Sequence, residues 1–379
     1  MRILYLVADP GIPACGPSGA SAHVRGITAG LAALGHDVRL ITAAGVDGRG
    51  ALEAPSVPWA AAGVSTWPRA PRPIAWYREV RTARGVARRA LAEPGGADLV
   101  IARHSLYSDA GARVARRLGV PLVLEVNAPL VLERRRFGVA PLMGPAERWE
   151  RRALQVADHL VAVSSWLVDW LVREQGCDPA RVHLLPNGVP GLPGDRARGR
   201  ALAGLPHDAW VLGFLGAFRP WHGLGMLRPL LEALPEAHLL LVGAARPGEE
   251  HLVADLARQP RVTMAGRRPE AEVADLVAAM DLGLAPYPAD APPWFCPLKI
   301  LAYRAQGTPA LAADVGDCRA LVGEAGAALP PGDIQAFTAA ARAWRGRRVE
   351  PAARTWRDVA AELLVGVVSE ADPRQVHRR

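Results

Sequence analysis

The stretch that decides the fold, residues 286–315, reads PYPADAPPWFCPLKILAYRAQGTPALAADV. A proline-broken loop opens it, an apolar-periodic segment begins at Pro297, and Gly307 ends that segment before a short strand over 309–313. Proline at the first helical position and glycine just past the last predict a loop, a helix and a strand. Because a helix N-terminus collects unpaired N–H groups and partial positive charge, this one is suited to bind a phosphate.

Lys299 lies near the start of this predicted helix and is the only lysine in the chain, so 44 of the 45 basic residues are arginine. One explanation is base composition, which has removed lysine almost everywhere. The other is that this position requires a compact ammonium, which the planar guanidinium of arginine does not replace. The place of Lys299 at a predicted phosphate-binding helix start favours the second explanation.

The composition suits a soluble globular protein with two domains. Half of the 379 residues are hydrophobic and 22% are charged, and this length allows two hydrophobic cores. No apolar run approaches the roughly 20 residues of a membrane span. The first residues, MRILYLVADP, predict a buried strand and not a signal peptide, so we expect a cytoplasmic protein. The four cysteines are scattered without paired metal spacing, so we expect free thiols.

The chain is basic, with a net charge of +8 and a pI of about 10.0. A basic surface suits nucleic acid, an anionic membrane face or an anionic substrate. The arginine runs are short and lack the interleaved aromatic residues of stacking platforms. We therefore expect a solvated basic surface and no nucleic-acid partner, and contact with anionic lipid headgroups stays open.

The first strand, residues 3–7, is a continuous apolar run typical of a parallel sheet covered on both faces. A glycine-rich loop, GIPACGPSGAS, separates it from a helical segment over 24–34 and a second strand, VRLITA. Open α/β sheets bind ligands at this end of a strand, and Gly16 and Gly19 would let backbone N–H groups approach an anion. The spacing is not G-x-G-x-x-G, which disfavours a dinucleotide oxidoreductase.

Strands and helices alternate in two consecutive runs, which predicts an α/β fold of two Rossmann-like domains facing each other across a cleft. We expect an acceptor-side domain over 1–188 and a donor domain over 189–357. Residues 46–78 are rich in glycine, proline and tryptophan and read as irregular, and 190–204 reads as a linker. The final amphipathic stretch could close the second domain, or a helix from about 358 to 379 could pack back on the first.

Several stretches, in their order and spacing, resemble the GT-B glycosyltransferases, and specifically the retaining enzymes of family 4. They include ASAHVRGITAGLAALGHDVRLIT (20–42), LEVNAPLVLERRRFG (124–138), GFLGAFRPWHG (213–223) and PLKILAYRAQGTPALAADVG (297–316). The resemblance covers nearly the full length. It implies transfer of a sugar from a nucleotide-diphosphate donor to a small-molecule or glycan acceptor.

The resemblance also implies how such a site works. The only co-substrate would be the nucleotide-diphosphate sugar, with no metal, so cationic side chains and N–H groups neutralise the departing diphosphate. Retention needs no protein nucleophile, since the departing phosphate accepts the acceptor's proton. The candidate catalytic residues are Lys299, Arg219 and Asn127. The candidate donor-binding residues are Gly16, Ser18, Gly19, Gly216, His222, Gly266, Arg267, Tyr287, Trp294, Pro297 and Leu298, and the candidate acceptor-side residues are His104 and Glu133.

The chain departs from the family at the E-x7-E motif, whose two glutamates would stand at positions 294 and 302. Here these are Trp294 and Ala302. In the family the first glutamate holds sugar hydroxyls and the second holds the ribose, and Ala302 can do neither. Beside GFLG, where the family has arginine and lysine, this chain has Ala217 and His222, with Arg219 nearby.

Three explanations stay open: an active transferase with an unusual donor, in natural-product or glycoconjugate biosynthesis; an ordinary transferase that tolerates the loss; and a catalytically inactive relative that binds a partner or ligand. The first is favoured because Lys299 and Arg219 are expected to face the cleft. Asn127, which replaces a family histidine, can still hydrogen-bond a sugar hydroxyl.

Overall fold

The computed structural model describes residues 1–16, 18–45, 53–63, 75–137 and 143–368. The predicted irregular stretch over 46–78 lies partly outside them, at 46–52 and 64–74. The described chain divides into two compact units. One contains Met1–Asn187 together with the final helix, and the other is Gly188–Thr355.

The first unit alternates strands and helices along its length. Its elements are β1 (Arg2–Val7), α1 (Gly19–Ala33), β2 (Asp37–Thr42), β3 (Trp59–Ala61), α2 (Ala75–Leu91), β4 (Leu99–Arg103), α3 (Ala110–Leu118), β5 (Leu122–Val126), α4 (Leu130–Arg136), α5 (Met143–Val156), β6 (His159–Ala162), α6 (Ser165–Asp169) and β7 (Val182–Leu184). Over the described ranges, seven parallel strands form one sheet in the order β3-β2-β1-β4-β5-β6-β7. The buried apolar runs of β1, β4 and β5 form its centre.

The second unit repeats this pattern. Its elements are α7 (Arg196–Ala203), β8 (Trp210–Leu215), α8 (Leu227–Ala233), β9 (Ala237–Val242), α9 (Ala254–Ala257), β10 (Val262–Gly266), α10 (Glu270–Ala279), β11 (Leu282–Ala285), α11 (Leu298–Ala305), β12 (Ala310–Ala313), α12 (Cys318–Val322), β13 (Gly326–Leu329) and α13 (Ile334–Trp344). Six parallel strands pair in the order β10-β9-β8-β11-β12-β13 within the described residues. The predicted loop, helix and strand of residues 286–315 are present as the loop before α11, α11 itself and β12.

Both sheets reverse their strand order next to the first strand of the unit. In the first sheet the reversal lies between β1 and β4, and in the second between β8 and β11. Open α/β sheets bind ligands outside the carboxyl ends of the strands at such a switch point. The loops after these four strands are therefore where a ligand-binding site is expected in each unit.

The linker predicted over 190–204 is wrong, because most of that stretch is helix α7. Asp195 caps the helix by accepting the N–H of Arg198 at 2.8 Å, and Gly204 ends it in the left-handed region. Gly199 allows this helix to pack closely on α10. A Cβ there would lie 2.0 Å from the carbonyl oxygen of Asp275.

The chain leaves and re-enters the first unit at two residues that both contact His23 of α1. His23 Nδ1 lies 2.8 Å from Oδ1 of Asn187, the last residue before the second unit. Its ring stands edge-on to Trp356, 5.0 Å between centroids, where α14 (Trp356–Val368) begins. Gly26 and Gly30 of α1 make room for this helix, since a Cβ on either would lie 2.2 Å from an atom of Trp356.

Candidate functional site

Lys299 is a buried cation at the start of α11. Only 6% of the residue is exposed, and Nζ has no hydrogen-bond partner among the described residues. The ammonium lies 4.3 Å from the ring centroid of Phe214 and 4.7 Å from that of Tyr287. Burial lowers the pKa of Lys299 to about 7. The two ring faces offset part of the cost of burying the charge, but three N–H donors stay available to an anion.

Three glycines line the carboxyl edge of the second sheet, and one of them, Gly216, lies beside this cation. Gly216, Gly243 and Gly266, at or just after the ends of β8, β9 and β10, all have positive φ. A Cβ on Gly216 would lie 3.6 Å from Lys299 Cε, and one on Gly243 would lie 1.9 Å from the Gly216 oxygen. Backbone therefore replaces side chains along this edge, which allows a ligand to approach the main chain closely. Gly243 was not among the predicted site residues.

His222 is a neutral neighbour of Lys299. Its Nδ1–H donates to the carbonyl oxygen of Ala217, which leaves the Nε2 lone pair as an acceptor. Burial, and then the charge of Lys299, lowers the pKa of His222 to about 3. His222 is therefore not a second cation in place of the family's lysine. It can offer a ligand a hydrogen-bond acceptor.

Arg219 is buried and oriented by an acid. Its Nη1 donates to Glu249 Oε2 at 2.9 Å, and its guanidinium lies 5.7 Å from the Trp221 ring centroid. The ion pair with Glu249 compensates part of the positive charge of the Arg219 guanidinium. Lys299 is thus the better candidate of the two for an anion, because no acid in the described residues pairs with it.

The loop between β11 and α11 supplies aromatic walls. Tyr287 is buried and its ring lies 4.7 Å from that of Phe295, and Trp294 is 5% exposed. Pro297 is the N-cap of α11 and Leu298 its first residue, with no side chain capping this helix start. The Tyr303 hydroxyl accepts the N–H of Leu215 at 2.9 Å and so ties α11 to the end of β8. Phe214, Phe295 and Tyr303 were missed by the sequence analysis because they read as ordinary core residues.

The second unit thus brings Lys299, Gly216, His222 and Tyr287 together at the switch point of its sheet. Arg267 follows Gly266 at the end of β10, half-buried and without an ion pair in the described part of the chain. The remaining predicted residues lie in the first unit: Gly16, Ser18, Gly19, His104, Asn127 and Glu133.

The glycine-rich loop in the first unit ends at the cap of α1. Ser18 Oγ accepts the N–H of Ser21 at 3.1 Å, and Gly19 opens the helix in an exposed position. The role predicted for Gly16 is not supported, because its N–H donates to the Pro13 oxygen at 3.0 Å. Gly16 is required by packing instead, since a Cβ there would lie 2.6 Å from Ser21 Oγ.

His104 follows β4 at the switch point of the first sheet. Both of its ring nitrogens are buried without a hydrogen-bond partner in the described residues. Burial lowers the pKa of His104 to about 4, so the ring is neutral near pH 7. Nearby in sequence, Tyr107 has φ of 59°, a strained conformation for a residue with a bulky side chain.

Asn127 and Glu133 follow β5 in the same unit. Asn127 is half-buried, and its Nδ2 lies 3.5 Å from the Glu125 carbonyl oxygen. Glu133 lies in the first turn of α4, where a carboxylate is stabilised by the helix dipole.

A buried charge cluster around Glu125 was missed. The carboxylate accepts a hydrogen bond from Tyr5, lies 2.9 Å from His23 Nε2 and 3.9 Å from Arg103 Nη1. These partners, His23 first, lower the pKa of Glu125 to about 2 against the opposing effect of burial. An acid inside the apolar run LVLEV was the available signal.

The described residues contain neither a metal-binding cluster nor a membrane-spanning helix. No group of three or more His, Cys, Asp or Glu residues there could hold a metal ion. No helix described is long and apolar enough to cross a membrane. All four cysteines are buried free thiols.

Comparison with known proteins gives two family matches, one in each unit. Residues 18–188 match the model described as Glycosyl transferase 4-like domain, and residues 209–344 match Glycosyl transferases group 1. A curated relative, D-inositol 3-phosphate glycosyltransferase 1 of Catenulispora acidiphila, is 34% identical over 61% of this chain. The match spans 59% of that relative's length.

Two solved structures share the fold over almost the whole chain. Sucrose-phosphate synthase from Thermosynechococcus elongatus has a TM-score of 0.69 at 21% identity, covering 99% of each chain. Anabaena HepE, in complex with UDP and glucose, has a TM-score of 0.65 at 20% identity, covering 98% of this chain and 100% of HepE. With its two α/β units and these two domain matches, the chain belongs to the GT-B glycosyltransferases, a Glycosyl transferase 4-like domain followed by a Glycosyl transferases group 1 domain.

Proposed function

We propose that the protein transfers a sugar from a nucleotide-diphosphate donor to a small-molecule or glycan acceptor, with retention and without a metal ion. The observation that carries this is the buried Lys299 ammonium, which has no partner in the described residues and lies beside Gly216 at the switch point of the second sheet. A buried, unpaired donor of this kind calls for an explanation, and an anionic ligand supplies one. A diphosphate is the anion that a donor domain of this family would bring.

Lys299 would act on charge that grows during the reaction. The bond between the sugar C1 and the diphosphate oxygen breaks, a bond between C1 and the acceptor oxygen forms, and the acceptor proton moves to the departing phosphate. Negative charge increases on the diphosphate in this step. A preorganised cation in a site with little water stabilises that charge more than it stabilises the ground state.

The other contacts are assigned by their chemistry. Backbone at Gly216, Gly243 and Gly266 would lie along the nucleotide, and the neutral His222 would accept a hydrogen bond from it. Arg219, held by Glu249, would be a weaker second cation. In the first unit, neutral His104 and the amide of Asn127 are suited to bind hydroxyl groups of an acceptor.

The comparisons support the class of donor. HepE is described in complex with UDP and glucose, and the curated relative is named D-inositol 3-phosphate glycosyltransferase 1. The loss of the motif glutamates at Trp294 and Ala302 separates this chain from the family pattern. We therefore propose an unusual donor, in natural-product or glycoconjugate biosynthesis.

Thermal-shift screening against nucleoside diphosphates, their sugars and bare nucleosides tests the donor site. A bound diphosphate at a hundredfold excess over its Kd stabilises the fold by about 2.7 kcal/mol. We expect one nucleoside diphosphate to raise the melting temperature, the matching nucleoside to raise it much less, and Lys299→Gln to abolish the difference. Equal shifts for diphosphate and nucleoside would contradict the role of Lys299.

A turnover assay then distinguishes an active transferase from a catalytically inactive relative. The inactive relative is an alternative because Trp294 and Ala302 replace the two motif glutamates. Release of the nucleoside diphosphate from the stabilising donor, in the presence of candidate acceptors and with or without EDTA, is the assay. Binding without turnover for any acceptor would favour the inactive relative. Loss of turnover in EDTA, restored by a divalent ion, would contradict metal independence.

A further inference from the structure

Three helices of the first unit carry nearly all of the net charge of the protein. Helices α2, α4 and α5 contain 17, 7 and 14 residues. Together they hold eleven arginines and four glutamates, a net charge of +7 out of +8 for the whole chain. A charge distribution this uneven bears on which partners the protein binds, because it creates a local positive potential, and it does not bear on the fold.

The three helices form one continuous part of the unit. Arg134 of α4 pairs with Glu79 of α2 at 2.9 Å, and the N–H of Val131 donates to Glu150 of α5 at 3.2 Å. One hydrophobic cluster lies beneath them and includes Val80, Val131 and Ala146, one residue from each helix.

The charge of this surface is positive on its outer side. Two of the four glutamates, Glu79 and Glu147, are paired with Arg134 and Arg135, and Glu150 is buried. Eight arginines on the three helices are exposed: Arg81, Arg84, Arg88, Arg135, Arg136, Arg148, Arg151 and Arg152. Three of them, Arg148, Arg151 and Arg152 of α5, make no ion pair within the described ranges. We call these eight residues the arginine face.

Two large apolar side chains are exposed beside the arginine face. Leu132 is 37% exposed and lies three and four positions before Arg135 and Arg136, on the same side of α4. Phe137, at the end of that helix, is 40% exposed. Exposed apolar side chains next to clustered arginines suit the boundary between headgroups and acyl chains of a bilayer. A nucleic acid would use the arginines but would leave Leu132 in water.

We propose that the arginine face, with Leu132 and Phe137, docks the first unit on a membrane surface rich in anionic lipid. The arginines would contact lipid phosphates, and the two apolar side chains would enter the interface. This proposal is independent of the donor site, because none of its residues belongs to the second unit.

Co-sedimentation of the full chain with vesicles tests it. The two compositions are phosphatidylcholine alone and phosphatidylcholine with about one-third phosphatidylglycerol. We expect binding only to the anionic vesicles, with release as salt is raised. Equal partitioning into both compositions, or no binding to either at low salt, would overturn the proposal.

Variants locate the surface. A triple variant, Arg148→Gln, Arg151→Gln and Arg152→Gln, should weaken partitioning on the order of a hundredfold, since each exposed arginine contributes about fivefold. The matched control removes three exposed arginines elsewhere, Arg246→Gln, Arg258→Gln and Arg357→Gln, and should bind as the parent does. An equal loss of vesicle binding in both triple variants would show that only the net charge of the protein matters, and it would overturn the assignment of the membrane contact to the arginine face.

A double variant, Leu132→Ser and Phe137→Ser, distinguishes binding to a bilayer from binding to a nucleic acid. It should lower vesicle partitioning while net charge stays the same. In parallel, the parent and this variant are tested on a single-stranded RNA. Tighter binding to RNA than to anionic vesicles, unaffected by the double substitution, would assign the face to nucleic acid. Thermal unfolding of each variant verifies folding, and the salt dependence of the parent tests the proposal even if a variant fails to fold.

Discussion

The Lys299 ammonium lies 4.3 Å from the centroid of the Phe214 ring, enclosed by aromatic groups and without a hydrogen-bond acceptor in the described residues. Such a site holds a cation at a cost in stability, and that cost falls when an anion binds. Binding and stability therefore oppose each other at this residue, as is common where function requires a destabilised group.

Lys299→Met should stabilise the fold and weaken diphosphate binding to the level of the bare nucleoside. The pKa of Lys299 is lowered from 10.5 to about 7, so the folded state holds its proton less tightly than the unfolded state. The parent gains stability as pH rises from about 7 towards 10.5, and the variant lacks this gain. We expect a stabilisation on the order of a few kcal/mol at pH 7. Chemical denaturation at pH 7 and 9 measures it, with exposed Arg258→Met as the control. A destabilised variant would contradict the cost assigned to the buried amine.

Diphosphate binding should take up a proton above pH 7. In the free protein Lys299 is mostly neutral at pH 8, and a bound diphosphate would favour the ammonium. Affinity should then fall by up to about tenfold per pH unit above 7. Calorimetry at pH 8 in two buffers of different ionisation enthalpy counts the protons, and the Lys299→Gln variant is the control. No proton uptake by the parent would remove Lys299 from the contact with the diphosphate.

Gly199→Ala should destabilise the second unit, although alanine is the better helix former. A Cβ at Gly199 of α7 would lie 2.0 Å from the Asp275 oxygen of α10. We expect a loss of about 1–3 kcal/mol, since overpacking outweighs the gain in helix propensity. Gly225→Ala, where nothing lies within 4 Å, is the matched control. Urea unfolding compares them, and equal stability of the two variants would show that α7 and α10 separate easily.

Glu125→Gln should destabilise the first unit near neutral pH and much less in acid. The pKa of Glu125 is lowered to about 2, so the ionised carboxylate contributes stability that is complete above its usual pKa of 4.5 and is lost as pH falls towards 2. The difference at pH 7 should be on the order of 3 kcal/mol. Denaturation at pH 7 and pH 3 measures it, with exposed Glu174→Gln unchanged at both. A difference that does not shrink in acid would trace the loss to packing and not to charge.

Three stretches of the chain show how much of the fold could be predicted from the sequence. Residues 286–315 predicted a loop, helix and strand, which the structure has as the loop before α11, α11 and β12. Continuous apolar runs such as residues 3–7 predicted parallel strands, and the two sheets confirm the α/β fold of two units. The linker predicted over 190–204 is wrong, because most of that stretch is α7, where Gly199 allows close packing on α10 and Gly204 ends the helix.

The sequence by itself determined the alternation of strands and helices, the glycine-rich loop after the first strand and the unique lysine, because these depend on local pattern and composition. Only the tertiary structure decided which groups meet. Phe214 and Tyr287, 73 positions apart, enclose Lys299 because β8 and β11 are neighbours at the switch point. Likewise Glu125 acquires His23, Tyr5 and Arg103 as partners across three strands and a helix. Desolvation and Coulomb energy depend on such distances, and a one-dimensional pattern does not contain them.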